Sequence, residues 1–118
     1  MDKYELISRT KKFSVRVYKL ADKLPPTTGA KNVNYQLMKC SSSVAANYRA
    51  ACRAKSKADF INKLKIVEEE ADESQFWLEY MIDVDLVVDM NEQKALMKEA
   101  GELVAIFTSS LRTLRNAA

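Results

Sequence analysis

Residues 56–88 read SKADFINKLKIVEEEADESQFWLEYMIDVDLVV. The stretch opens on Ser56-Lys-Ala-Asp59, the spacing of a helix capping box with Asp59 in place of the usual Glu. Behind it Phe60, Leu64, Val67, Ala71, Ser74, Leu78, Met81 and Asp85 recur at steps of four and three, which marks one face of a single helix. The spacing predicts a helix over 57–88, about 32 residues and about 48 Å long.

The same rhythm continues on both sides. Val33, Leu37, Cys40, Val44, Tyr48 and Ala51 predict a helix over 30–54 that runs unbroken through Ser41, Ser42 and Ser43. Leu6, Phe13, Val17, Leu20 and Leu24 predict one over 4–24. It stops at Pro25-Pro26, because the residue before a proline is pushed out of the helical region. Downstream, Asp89-Met-Asn-Glu is a break with Asn91 as N-cap. Leu96, Ala100, Leu103, Phe107, Ser110 or Leu111, and Leu114 then predict a helix over 92–115. Four amphipathic helices with short links make an all-α, antiparallel up-and-down four-helix bundle. At 118 residues the chain is one domain, 1–118.

Composition agrees. Two glycines and two prolines are too few for the turns of a multi-stranded sheet. Apolar residues, 47% of the chain, suffice for a core, yet no 18-residue apolar run offers a membrane span. The opening MDKYELISRTKKF lacks the apolar segment of a secretory signal, so the expected location is cytoplasmic, with no membrane partner. The absence of histidine excludes His-dependent triads, His-ligated zinc and the Glu-x-x-His di-iron pattern. No metal or cofactor is expected. Cys40 and Cys52 lie on one helix about 18 Å apart, too far for a disulfide; they read as packing cysteines in a reducing compartment.

The net charge of +3 is mild, but its distribution is not. Residues 25–55 carry five cations and no acid, whereas 56–90 carry ten acids against three cations. Lys39, Arg49, Arg53, Lys55 and Lys57 are therefore candidate phosphate contacts, whose affinity would fall steeply with salt. The competing reading is structural. Arg53 and Lys55 suit a helix C-terminus, and Arg49 and Arg53 could pair with Glu69, Glu70 and Glu73. The run Glu68 to Glu73 points in several directions around a helix, so it is charged surface rather than a catalytic pair. Asp83, Asp85 and Asp89 sit where the helix dipole disfavours them and lack the Gly and terminal Glu of a calcium loop; they are expected to pair with lysines across a subunit contact.

A second stripe, Ile66, Glu73, Trp77, Tyr80, Val84 and Val87, runs about 100–180° away from the core face of the third helix. A bundle helix should be polar there, so the stripe is expected to be an oligomer interface. Ala46 and Ala50, with Ser42 and Ser43, put small side chains on the outer face of the second helix, which permits close approach of another helix.

Ser43-Val44, Asn47-Tyr48-Arg49, the basic run Arg53 to Lys57, Phe60, and Glu70 to Glu79 with Trp77-Leu78-Glu79 resemble a family of small bacterial four-helix bundle proteins. That family is associated with intervening sequences in 23S ribosomal RNA genes. Val17-Tyr18-Lys19-Leu20 and the Pro25-Pro26 loop fit too. The resemblance implies a cytoplasmic bundle that forms a ring-like homo-oligomer, often a pentamer, without enzymatic activity. It also implies a likeness to accessory proteins of retroelement reverse transcriptases, so RNA or a reverse transcriptase-type protein are the implied partners. Many members carry Pro where this chain has Ala45, and Glu-Gly where it has Ala50-Ala51. An adaptor oligomer whose ligand is another protein is the alternative expectation.

Overall fold

The computed structural model describes residues 1–117. Four helices follow in order: α1 Lys3–Ala21, α2 Thr28–Ala51, α3 Lys57–Asp83 and α4 Met90–Asn116. Each packs on its chain neighbours, and α1 meets α4 to close the bundle, whereas the backbones of the diagonal pairs stay apart. This is an antiparallel up-and-down bundle, 49 × 20 × 20 Å.

The predicted stripes form the core. Phe13, Val17, Leu37, Val44, Leu64, Leu78, Leu103 and Phe107 are all buried, and Tyr48 stacks at a tilt on Phe107 with ring centroids 5.5 Å apart. Each large apolar side chain taken from water contributes about 1.5–3 kcal/mol. Ser41, Ser74 and Thr10 sit in the same core because their hydroxyls donate to carbonyls three or four residues back on their own helices. Gln93 is buried too and ties α4 to α3 by donating Nε2 to the Leu78 carbonyl at 2.8 Å.

The helix ends depart from the sequence reading in several places, α2 among them, which runs Thr28–Ala51 rather than 30–54. Helix α1 stops at Ala21 rather than residue 24, because Pro25 has no N–H to offer the Ala21 carbonyl, which takes other donors. The Leu24 N–H donates to it, and so does Asn34 Nδ2 from α2, at 2.8 Å. The N-cap of α4 is Asp89, not Asn91, since the Asp89 carboxylate accepts from the Glu92 N–H at 3.1 Å.

The largest difference is at the end of α3, which stops at Asp83, five residues short of the predicted 88. Asp85 adopts φ 59°, the left-handed region. The Leu86 N–H then reaches the Met81 carbonyl at 2.8 Å and the Asp85 N–H reaches Ile82 at 3.1 Å, the two bonds of a Schellman cap. Asp85 thus ends the helix at the point where a charge would next have met the core. Two of the three acids also have local roles that the sequence reading did not assign: the Asp85 backbone closes α3 and the Asp89 carboxylate opens α4.

The cap of α3 is as the sequence predicts, whereas the Thr27 cap of α2 was not read from it. Ser56 Oγ accepts from the Asp59 N–H at 3.1 Å, and the Asp59 carboxylate reaches back to the Lys55 N–H, one residue further than in the usual box. Thr27 caps α2 through the Ala30 N–H.

Candidate functional site

The up-and-down topology brings the end of α2, the start of α3 and the end of α4 to one end of the bundle. Lys57 Nζ, at the start of α3, donates to the Ala117 carbonyl just past α4 at 3.2 Å, which confirms that proximity. Arg53, Lys55 and Lys57 therefore share this end with Arg112 and Arg115, two cations far away in sequence. All five are exposed. Sequence reading missed the α4 pair because only the chain reversal makes them neighbours of the α2–α3 corner.

Arg49 and Arg53 face water, and neither forms an ion pair with Glu69, Glu70 or Glu73 or with any other carboxylate among the described residues. Lys39 is exposed further up α2, with its Nζ 5.9 Å from the centroid of the Tyr35 ring. The acids at the same end are few. Asp59 is engaged by Lys63 at 2.7 Å, and that bond draws its carboxyl below the ordinary value. Asp2 caps α1 by accepting from the Glu5 N–H at 2.8 Å.

The acidic run on α3 is spread around the helix. Glu68 accepts from Thr108 Oγ1 of α4 at 2.6 Å. Glu70 is partly buried, and desolvation, aided by Glu73, raises its pKa against the opposing field of Lys39. Among the described residues no three His, Cys, Asp or Glu side chains converge as a metal site would need. Cys40 and Cys52 are both free thiols. Burial pushes Cys40 up to about 11, although Ser74 Oγ donates to its Sγ at 3.3 Å.

The second stripe of α3 is only partly a helix face. Ile66, Glu73 and Tyr80 are exposed, and Trp77 is half-buried, resting on the core beside them. Val84, the C-cap residue, is exposed and still donates its N–H to the Tyr80 carbonyl at 3.0 Å, whereas Val87 lies beyond the helix. Phe76, which sequence reading left out, is 52% exposed and joins the group. Its ring meets Trp77 edge-on at 5.0 Å and stacks with Tyr80 at 5.8 Å, while Trp77 meets Tyr80 at 5.3 Å. The i, i+4 spacing of Phe76 and Tyr80 is the signal that was available for it. An open groove of about 260 Å³ runs from this cluster between the end of α3 and the start of α2, lined by Tyr80, Val84, Leu86, Ala30 and Val33. On α2, Ala46 is exposed and Ala50 half-buried.

No helix among the described residues is long and apolar enough to cross a membrane.

With known proteins the correspondence covers most of the chain. Residues 2–109 match the family model described as 23S rRNA-intervening sequence protein. No curated protein matches. Among solved structures the chain is similar to a protein of unknown function from the S23 ribosomal protein family of Bacteroides thetaiotaomicron. The two are 28% identical, the match covers 95% of this chain and 99% of that one, and the TM-score is 0.84.

Proposed function

The chain belongs to the 23S rRNA-intervening sequence protein family, and from that premise we propose that it is a non-enzymatic, cytoplasmic, self-associating bundle that binds RNA or a ribonucleoprotein through its cationic end. One observation carries the reading: Arg49 and Arg53 are exposed with no carboxylate partner among the described residues, in a segment that holds no acid from Pro25 to Ala58. Their pairing with α3 acids that the sequence also allowed is not formed among the described residues. Left unpaired, with Lys55, Lys57, Arg112 and Arg115 at the same end, they form a field that attracts phosphate. The chain shows no RRM or KH signature, so contacts go to the backbone more than to base edges. Self-association rests on the Phe76–Trp77–Tyr80 cluster, an aromatic group of the kind that interfaces cover; a ring, pentameric as in the resemblance above, is the form we propose.

The test is binding of RNA by the purified protein at 50 and 200 mM salt, with Arg49→Ala/Arg53→Ala alongside. Affinity falls with salt, and the double variant binds more weakly with a shallower salt slope. Absence of binding at 50 mM salt, or affinity indifferent to salt and to both arginines, overturns the reading.

The aromatic cluster also supports an adaptor oligomer whose ligand is another protein. Sizing of Trp77→Ala/Tyr80→Ala separates the two uses. A shift to monomer assigns the cluster to self-contact; an unchanged oligomer leaves it free for a different partner.

A further inference from the structure

We propose that the outer face of α2 carries a stacking site for unpaired bases, built on Tyr35 with Tyr18 of α1 and flanked by Lys31 and Lys39. The inference rests on the nucleic-acid reading above and narrows it to single strands.

Tyr35 is 62% exposed and Tyr18 is 58% exposed. The bond from Asn34 Nδ2 to the Ala21 carbonyl sets the register of α1 against α2. Tyr18, one turn back from Ala21, therefore comes level with Met38, one turn on from Asn34. Two large open rings thus stand within about one helical turn of each other along the bundle axis. Lys31 and Lys39 lie one turn to either side of Tyr35 and share a shallow depression with it, together with Asn34 and Met38. Lys39 Nζ, over the Tyr35 ring, keeps cation and ring together as one unit.

The face continues along α2 to Arg49, and on to Arg53 just past the helix end, without an acid. From Lys31 to Arg49 is about 27 Å of helix, a single row of cations on a convex surface. Such a row follows one backbone, whereas duplex RNA is held by contacts across successive grooves. In a duplex every base is already stacked on its neighbours, so an exposed ring has nothing to stack on. Cations that track the backbone beside open aromatic rings are what single-strand binding uses.

The test measures fluorescence anisotropy with labelled oligouridine, oligothymidine and a duplex RNA of equal length, using the full chain at 50 mM salt. Tyr35→Leu and Tyr18→Leu/Tyr35→Leu keep apolar bulk while removing the ring, and these surface positions leave the fold intact by circular dichroism. The wild type prefers both single strands over duplex. Tyr35→Leu weakens single-strand binding about ten-fold, the double variant weakens it further, and the salt slope stays unchanged because no phosphate contact is lost. Single-strand binding by the double variant that equals wild type, while Arg49→Ala/Arg53→Ala loses affinity, overturns the stacking site and leaves the cationic reading standing. Equal losses on duplex and single strand overturn it as well, as does a changed sizing profile for the tyrosine variants. Failure of the wild type to bind any of the three probes removes both readings together.

Discussion

Arg9 of α1 grips Glu99 of α4 in a two-pronged pair, Nε to Oε2 at 2.7 Å and Nη2 to Oε1 at 2.8 Å. The same Nη2 reaches Glu102 at 3.1 Å. One side of the bundle further along, Arg16 holds Glu92 by a second fork, with distances of 3.1 and 2.7 Å. These forks span the α1–α4 seam, the loosest of the four helix contacts. Parallel hydrogen bonds between a guanidinium and a carboxylate are stronger and more directional than a lone surface ion pair.

Removing the Arg9 fork therefore costs more than an ordinary surface charge. Arg9→Ala lowers stability by about 1–2 kcal/mol in urea denaturation, and Arg9→Lys recovers only part, because an ammonium cannot make both bonds. Both Arg9 and Glu99 are less than a third exposed, so the loss persists at moderate salt. An Arg9→Ala protein as stable as wild type would show that apolar packing alone closes this seam.

Stability depends on pH through two carboxylates of opposite sign. The Arg16 bond holds Glu92 below its ordinary pKa. Its contribution is complete above the ordinary carboxylate range and is lost as pH falls through the lowered folded value. Glu70 is raised by burial and by Glu73. Its ionisation opposes folding at neutral pH, and that cost disappears as pH falls through its raised value. Glu92→Gln flattens the acid limb of the stability curve. Glu70→Gln raises stability at pH 7, with a gain that shrinks on acidification. Chemical denaturation from pH 3 to 8 measures both.

The two thiols differ in reactivity. Cys40 is buried and pushed up to about 11 by desolvation, so it holds little thiolate near neutral pH. Cys52 is partly exposed at the end of α2. Native protein treated with iodoacetamide takes up label at Cys52 first, and Cys40 reacts only after denaturant is added. Mass mapping of the labelled peptides reads this directly, and early label at Cys40 would indicate that the α2–α3 core opens.

Asp85 is held in the left-handed region, where a side chain is strained and glycine is not. Asp85→Gly raises stability by about 0.5–1 kcal/mol, while Asp85→Ala lowers it by a similar amount. Thermal unfolding distinguishes the two. Equal midpoints for both variants would remove the Schellman cap as the reason α3 ends at Asp83.

The core residues were legible in the sequence because periodicity is local: the residues that make each apolar stripe lie within one helix. The capping box at Ser56 was legible for the same reason. The end of α3 was not, since the apolar run Leu86-Val-Val continues past Asp83 and looks like more helix. What ends it is one backbone conformation at Asp85, chosen so that Leu86 can pack against the core.

The sequence by itself determined four helices, their faces, an antiparallel order forced by short links, and an acid-free cationic second helix. Tertiary structure alone decided which charges remain in water. Arg9 and Arg16 look no different in sequence from Arg49 and Arg53, yet the first two are consumed by α4 and the second two are left exposed. The reason is azimuth. Arg9 and Arg16 share the side of α1 that faces glutamates on the returning α4, whereas Arg49 near the end of α2 and Arg53 just beyond it project where no described carboxylate comes within ion-pair reach. Arg112, Arg115 and Phe76 join their surfaces for a related reason, because helices that are distant in sequence, or side chains on one exposed turn, become neighbours only once the bundle closes.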